Sequence, residues 1–245
     1  MQCVILAGGL ATRIRPHTLT IPKSLIEIAG HPFIDWQLSC VRKAGYRNVV
    51  LCVAHLGELI KAHVGAGERF DMRVLYSDDG PTMLGTAGAL RRALPLLEDE
   101  LLVTYGDSYL PFDYASPLKT LVENHDCDGV MSVFKNNGRW DSSNVRTDGT
   151  RILSYAKGTQ DPAFDHIDYG ALALRRSVVA TLQEGVPSDL AALQRDLAQQ
   201  GRLRAVVTHE RFYEIGSFEG IATLDQYLSI RTSAVEISGR SHKQP

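Results

Sequence analysis

The sequence predicts an α/β fold in which helices flank a mainly parallel, mixed sheet. Short and nearly uninterrupted apolar runs recur through the first half of the chain, and segments with apolar residues at helical spacing alternate with them. Strands buried on both faces have this continuous apolar character, and parallel strands need a long crossover, usually a helix, between them. A length of 245 residues suits one large α/β domain.

The elements of the first half follow in a regular order. Strands are predicted over residues 3–6, 48–54, 72–76 and 101–104. Helices are predicted over 33–44, 59–64 and 85–94, with Gly45 ending the first of them. A long loop over 8–22 separates the first strand from the first helix. Because ligands bind at the carboxyl ends of strands in such sheets, the loops after the first, third and fourth strands are the places to look for chemistry.

The second half has a less regular pattern. Strands are predicted over 129–134, 169–174 and 203–207, and residues 151–155 are strand-like. Helices are predicted over 188–200, with Ser188 as N-cap, and over 217–230. Residues 238–245 are polar and are expected to form a disordered tail.

Composition excludes several classes of protein. The formal net charge of −2 gives no basic surface for nucleic acid, and there is no polybasic run for a membrane surface. No apolar run approaches the ~18 residues that a membrane span requires. The four cysteines are scattered, and we interpret them as reduced, mostly buried thiols of a cytoplasmic protein. A homo-oligomer is compatible with this sequence.

The strongest motif is the glycine-rich loop after the first strand. The run LAGGLATR occupies residues 6–13, and Pro22-Lys23 follows it. A Gly-Gly pair allows backbone amides to approach phosphate oxygens, while Arg13 and Lys23 would neutralise phosphate charge. The alternative is a glycine turn with two surface cations. The spacing matches neither a dinucleotide-binding GxGxxG nor a P-loop.

Two later segments complete the candidate site. Asp107 follows a buried strand, where a carboxylate could hold Mg²⁺ against phosphate oxygens; a simple Gly-Asp turn is the alternative. The helix beginning at Gly85 opens on small residues that would let a nucleotide pack against backbone, although close helix–sheet packing explains them equally. Asp78 and Asp79, just before it, could read the edge of a base or could be solvated turn residues.

These motifs together resemble those of the sugar-phosphate nucleotidyltransferases. The segment LAGGLATRIRPHTLTIPKSL resembles the opening signature of that family, and LGTAGAL (84–90), YGD (105–107) and FYEIGSFEGI (212–221) follow in the family's order. Among members, the chain looks most like the short guanylyltransferases that act on heptose or hexose 1-phosphates. The resemblance implies a GT-A-like, Rossmann-related domain with a small acceptor-binding lobe.

The resemblance also implies roles for individual residues. Arg13, Lys23 and Asp107 would be catalytic, and Asp107 and Glu214 would hold Mg²⁺. Lys157, Tyr169 and Gly170 would bind the acceptor. The residues expected to bind the nucleotide are Leu6, Ala7, Gly8, Gly9, Thr12, Arg13, Asp79, Gly85, Thr86 and Gly106. We expect one domain over 1–237, with a nucleotide-binding half over about 1–125 and an acceptor-binding half over about 126–237.

The chain departs from the family pattern at several positions. Ala11 replaces a glycine, Ala156 and Gly158 flank Lys157 where many members have Glu and Pro, and Glu214 replaces an aspartate. Asp168-Tyr169-Gly170 stands where an asparagine usually precedes the glycine. The departures concentrate in the acceptor-binding half, so the family pattern fixes the nucleotide end of the site more firmly than the sugar end.

The expected reaction joins a nucleoside triphosphate to a sugar 1-phosphate and releases pyrophosphate. GTP is favoured as the donor, with CTP, UTP and dTTP as alternatives. Other activities stay open on sequence alone: a cytidylyltransferase for a phosphorylated non-sugar acceptor, a glycosyltransferase of similar fold, or a non-catalytic nucleotide-sugar-binding protein. A glycosyltransferase would need a DxD-like metal motif and would not need Pro22-Lys23 beside the Gly-Gly loop.

Overall fold

A computed structural model describes residues 1–9, 12–80 and 82–240 of the chain. The strands are β1 (Gln2–Leu6), β2 (Glu27–Ile28), β3 (His31–Pro32), β4 (Asn48–Val53), β5 (Arg73–Asp78), β6 (Glu100–Tyr105), β7 (Ser108–Tyr109), β8 (Gly129–Lys135), β9 (Val145–Thr147), β10 (Ile152–Tyr155), β11 (His166–Arg175), β12 (Leu203–Thr208) and β13 (Tyr213–Glu214). The α-helices are α1 (Phe33–Lys43), α2 (Gly57–Val64), α3 (Gly85–Arg92), α4 (Ala115–Glu123), α5 (Arg176–Ala180), α6 (Leu190–Gln199) and α7 (Phe218–Arg240).

The central sheet is mixed and mainly parallel, as the sequence predicts. Its parallel part runs in the order β5–β4–β1–β6. The long strand β11 then pairs antiparallel with both β6 and β8, and β12 pairs parallel with β8. The short strands β9 and β10 pair with each other and adjoin the start of β11. β11 therefore joins the parallel first half to the second half within one sheet.

Side chains on the two faces of the sheet form two separate apolar cores. Val4 and Leu6 of β1 pack on one face with residues of α3 and α6. Cys3 and Ile5, which alternate with them along the strand, pack on the other face with residues of α1, α2 and α4. All five residues of β1 are buried, because a central parallel strand is covered on both sides.

Most predicted elements are confirmed within a few residues at each end. The largest difference in length is in the last helix, which is predicted over 217–230 and spans Phe218–Arg240 in the structure. The helix predicted over 188–200 begins at Leu190, and its N-cap is Asp189, whose carboxylate accepts the Ala191 amide at 2.8 Å. Ser188 was therefore the wrong cap by one residue. The tail predicted from 238 overlaps the end of α7, and residues 241–245 lie outside the described part of the chain.

Among the residues that the structure describes, seven α-helices or strands were not predicted: β2, β3, β7, α4, β9, α5 and β13. All but α4 span only two to five residues, too few for an apolar period to identify them, so tertiary packing rather than local pattern determines them. In the part of the chain that the structure describes, no helix has both the length and the apolar character needed to cross a bilayer.

Candidate active site

A cavity of about 290 Å³ opens at the carboxyl ends of β1, β4, β5 and β6. It is lined by every residue predicted to bind the nucleotide except Thr12 and Arg13, which lie in an adjoining 3-10 turn. Lys23 and Asp107 line it as well. Leu10 and Ala11 of the predicted loop lie outside the described residues. The sequence motifs of the first half thus converge on one cavity, and their ligand-binding role remains a prediction.

Glycine makes this convergence possible where β1 and β6 end side by side. The amide of Gly106 donates to the carbonyl of Leu6 at 2.9 Å. A Cβ added at Gly106 would lie 2.8 Å from Cα of Ala7, closer than folded proteins tolerate. Gly106 therefore lets the two strand ends approach, and this approach places Asp107 beside the glycine-rich loop.

A cation and a carboxylate meet at one end of the cavity. Nζ of Lys23 lies 2.6 Å from Oδ2 of Asp107, and both side chains are largely shielded from solvent. Arg13 lies on the same side, since a Cβ added at Gly216 would lie 3.0 Å from Nη2 of Arg13 and 3.9 Å from Nζ of Lys23. Arg13, Lys23 and Asp107 are thus gathered around Gly216, a residue that the sequence analysis did not single out.

A two-stranded ribbon brings the second predicted metal ligand to the first. β13 pairs antiparallel with β7, so that Glu214 lies opposite Ser108, and the amide of Ile215 donates to the carbonyl of Asp107 at 3.0 Å. Burial and the negative charge of Asp107 raise the pKa of Glu214 to about 7, and the neighbouring Lys23 and Arg13 oppose that rise only in part. Neighbouring carboxylates repel each other, and a bound cation would relieve that repulsion.

The donors at this position fit Mg²⁺ in their chemistry. Asp107, which lines the cavity, and Glu214, whose backbone lies opposite Ser108, both carry hard carboxylate oxygens. Within residues 1–9, 12–80 and 82–240, no group of three or more His, Cys, Asp or Glu side chains could hold a metal by itself. A protein that binds Mg²⁺ together with a nucleotide needs only one or two carboxylates, since phosphates and water complete the coordination.

A buried glutamine supports the turn that carries Asp107. Nε2 of Gln37 donates to the carbonyls of Tyr105 at 2.7 Å and Ser108 at 3.1 Å, on either side of Asp107. Gln37 is fully buried on the inner face of α1, among Phe33, Ile34 and Leu38. This role of Gln37 is not among the predictions made from the sequence. A polar residue at an apolar position of an amphipathic helix is the signal that could have identified it.

The loop at the start of α3 packs against the second half of the chain. Gly85 has a φ of +70°, and a Cβ added there would lie 2.5 Å from the carbonyl oxygen of Ser188. The hydroxyl of Thr86 accepts a hydrogen bond from the amide of Leu190 at 2.8 Å. It donates a hydrogen bond to the Asp189 carboxylate at 3.3 Å. The predicted nucleotide loop and the N-terminus of α6 are therefore a single hydrogen-bonded unit.

The three predicted acceptor residues occupy different places: Lys157 and Gly170 lie near cavity-lining residues, whereas the side chain of Tyr169 lies in the core. Lys157, after β10, forms an ion pair with Asp189 at 3.3 Å and is half exposed, so it lies next to the Thr86 loop. Gly170 has a φ of +91° at an irregularity in β11 and approaches the ring of Tyr105, a cavity-lining residue. Tyr169, in contrast, is 2% exposed and packs against the rings of Phe112 and Phe212. Its side chain belongs to the core, because alternate residues of a strand face opposite sides of the sheet.

The chain belongs to the nucleotidyl transferase family, whose family model matches residues 2–139. It is 33% identical over 193 residues to the N-acetylmuramate alpha-1-phosphate uridylyltransferase of Neisseria meningitidis, covering 71% of this chain and 81% of the relative. It is 29% identical over 244 residues to the mannose-1-phosphate guanylyltransferase catalytic subunit beta of Danio rerio, covering 96% and 67%.

Solved structures show the same fold. HddC from Yersinia pseudotuberculosis, complexed with GMP-PN, superposes with a TM-score of 0.75 at 23% identity, covering 93% of this chain and 99% of that one. This likeness confirms the Rossmann-like α/β class that the sequence predicts.

Proposed function

We propose that this chain is an Mg²⁺-dependent sugar-1-phosphate nucleotidyltransferase. It would transfer a nucleoside monophosphate from a nucleoside triphosphate to a sugar 1-phosphate, giving a nucleoside diphosphate sugar and pyrophosphate. The observation that carries the proposal is the convergence of the Gly8-Gly9 backbone, Lys23 and Asp107 on one cavity, with Glu214 held beside Asp107. The relatives named as uridylyl- and guanylyltransferases of sugar 1-phosphates support this substrate class.

The reaction follows from this arrangement as a direct displacement. An oxygen of the acceptor phosphate attacks the α-phosphorus, a new P–O bond forms, and the bond to the departing pyrophosphate breaks. The acceptor phosphate is already ionised near neutral pH, so the chain needs no general base. Lys23 and Arg13 stabilise the charge that develops on the transferred group, and the backbone amides of the glycine-rich loop orient the triphosphate. A bound Mg²⁺ would add neutralisation of phosphate charge.

The donor and acceptor can be narrowed further as proposals. GTP is the favoured donor, because the family signature is most like that of guanylyltransferases, and CTP, UTP and dTTP are the competitors. The acceptor phosphate requires a cation of its own, since Lys23 and Arg13 face the triphosphate. Lys157 supplies it, and Gly170, which packs closely against Tyr105 and Ser108, would contribute backbone to the sugar site.

A pyrophosphate-release assay tests the reaction. The four nucleoside triphosphates are each combined with a panel of hexose and heptose 1-phosphates and with phosphocholine as a non-sugar acceptor. We expect release only when a triphosphate and a sugar 1-phosphate are both present. Release with phosphocholine alone among the acceptors would replace the sugar assignment with the non-sugar one, and no release with any pair would refute transferase activity.

Metal dependence is tested in the same assay. EDTA should abolish turnover, and added Mg²⁺ should restore it. Asp107→Asn should remove Mg²⁺-dependent activity, and Glu214→Gln should weaken it and raise the Mg²⁺ concentration that gives half-maximal activity. Full turnover in EDTA would contradict the metal assignment while leaving the transfer reaction intact.

A further inference from the structure

Two adjacent carboxylates at the end of β5 have opposite environments. Asp78 is exposed, accepts the Gly80 amide at 2.9 Å and forms an ion pair with Lys61 at 3.2 Å. Asp79 is only 6% exposed and lines the nucleotide cavity. The solvated turn residue that the sequence allows is therefore Asp78, and Asp79 is the one placed to meet a ligand.

Asp79 lies at the end of the cavity away from the phosphate-binding residues. Its backbone amide donates to Val53 at the end of β4, whereas Asp107 follows β6 on the other side of β1. β5 is two strands from β1, about 10 Å at the usual strand spacing. The walls near it include the apolar Cys52, Met83 and Ala89. When the triphosphate occupies the glycine-rich loop, this end of the cavity receives the base.

One of the two carboxylate oxygens of Asp79 has no hydrogen-bond partner among the described residues. Oδ2 accepts the Leu84 amide at 3.3 Å, and Oδ1 is buried with no hydrogen-bond partner among the described residues. Native proteins rarely leave a buried carboxylate oxygen unpaired, because desolvation without a hydrogen bond is costly. Rotation about the last side-chain bond exchanges the two oxygens, so either can meet a donor that enters the cavity.

We propose that Asp79 selects guanine, so that the nucleotide donor is GTP. An ionised carboxylate only accepts hydrogen bonds, and it accepts two at once from adjacent donors. Guanine alone among the common bases presents two adjacent donors, N1–H and the N2 amino group, on its base-pairing edge. Asp79 would receive both, which satisfies the oxygen that the folded chain leaves unpaired. The inference rests on the proposed function and deepens it.

The same carboxylate disfavours the other bases. Uracil and thymine present one N–H between two carbonyl oxygens, so a second carboxylate oxygen would face an acceptor. Cytosine and adenine present one donor, an amino group, beside a ring nitrogen. That ring nitrogen, like the carboxylate, only accepts hydrogen bonds. Acceptors facing each other in a buried site repel, and a site built to receive hydrogen bonds rejects ligands that cannot supply them.

The test compares Asp79 with its neighbour in the full chain. In the wild type, kcat/KM for pyrophosphate release should be at least tenfold higher with GTP than with UTP, CTP or ATP. Asp79→Asn should lower the GTP-to-UTP ratio at least tenfold, because the amide offers one acceptor and one donor. Asp78→Asn, changed in the same way at an exposed position, should leave the ratio unchanged.

Two further measurements on the wild type test the guanine preference without relying on the Asp79→Asn variant. Inosine triphosphate lacks the N2 amino group, so the wild type should use it about tenfold less well than GTP, whether or not Asp79→Asn folds. Calorimetric titration of GTP and UTP should show the same preference in binding. A wild type that prefers UTP, equal use of inosine triphosphate and GTP, or an unchanged ratio in folded Asp79→Asn would overturn the inference. Guanine-selective binding without pyrophosphate release would instead refute the proposed function alone.

Discussion

The nucleotide side of the site and the acceptor side are built differently. On the nucleotide side, strand ends and glycine backbone form the walls, and a Cβ at Gly106 would collide with Ala7. On the acceptor side, the main contact is an ion pair between Lys157 and Asp189, whose side chains are 52% and 59% exposed. The first arrangement is fixed by the central sheet, whereas the second depends on long side chains near the surface.

This difference bears on specificity. In the proposed reaction, the loop backbone would bind what all donors share, the triphosphate, and its geometry tolerates little change. Exposed side chains can be exchanged without disturbing the core, so acceptors can change while the fold persists. Two of the departures from the family pattern, Ala156 and Gly158, flank Lys157 on that side. The comparison predicts large effects for substitutions on the nucleotide side and graded effects on the acceptor side.

The largest effect is expected at Lys23. Replacing it with alanine removes a cation that acts on charge developing at the transferred phosphate, so kcat should fall about 10²- to 10³-fold with little change in stability. Lys43→Ala, an exposed lysine at the end of α1, is the matched control and should keep full turnover. Turnover of Lys23→Ala within threefold of the wild type would contradict the expectation that substitutions on the nucleotide side have large effects.

Two glycines with similar positive φ values provide a more specific test of this comparison. Gly85 and Gly158 have φ of +70° and +74°, but a Cβ would meet Ser188 O at 2.5 Å in the first and nothing within 4 Å in the second. Gly158→Ala should cost about 1 kcal/mol from backbone strain alone. Gly85→Ala adds a clash with backbone and should cost about 3 kcal/mol. Denaturant unfolding of both variants measures this, and equal losses would show that packing around Gly85 adapts.

The first half of the fold follows closely from its sequence. The predicted strands β1, β4 and β6 are apolar runs buried on both faces, whereas β5, at the edge of the sheet, is partly exposed. The loops after β1, β5 and β6 meet at one cavity because parallel strands end at the same edge. The predicted residues Gly8, Gly9 and Asp107 came together for that reason. Local pattern and tertiary structure therefore agree for the strands that build the cavity.

In the second half of the chain, the sequence does not predict strand direction or long-range contacts. The apolar run around Tyr169 predicts a strand correctly, but it does not show that β11 is antiparallel or which face Tyr169 occupies. Gln37 and Gly216 became visible only when distant segments met. Pairing direction and long-range contacts depend on the whole fold, and no window of sequence contains them.

A moderate effect is expected at Lys157. If its ammonium binds the acceptor phosphate, Lys157→Ala should raise the acceptor KM about tenfold, or ~1.4 kcal/mol, and leave the nucleotide KM nearly unchanged. Lys119→Ala, an exposed lysine on α4 that pairs only loosely with Glu123, serves as control. Equal changes in both KM values would mean that Lys157 acts through the Thr86 loop instead of through the acceptor.

The smallest effect separates the two roles of Asp189, which caps α6 and pairs with Lys157. Asp189→Ala removes the cap and should cost about 1 kcal/mol, whereas Asp189→Asn keeps a capping oxygen and should cost less. Both variants free Lys157 of its partner, so both should change the acceptor KM by a similar, severalfold amount. A KM change that follows the loss of stability, large in the alanine variant and absent in the asparagine variant, would show that Asp189 acts only as a cap.

The pH dependence gives a second check on the same residue. Burial raises the pKa of Asp189, but the Ala191 amide and the Lys157 ammonium outweigh it and leave that pKa below its ordinary value. A carboxylate with a depressed pKa in the folded state stabilises the fold above its unfolded pKa, about 4, and loses that contribution as pH falls through the folded value. The difference in Tm between wild type and Asp189→Ala should therefore be full at pH 7 and shrink below about pH 4. A difference that stayed constant down to pH 3 would mean that the carboxylate charge contributes nothing, and the exposed pair with Lys157 would then be a surface contact without influence on the acceptor side.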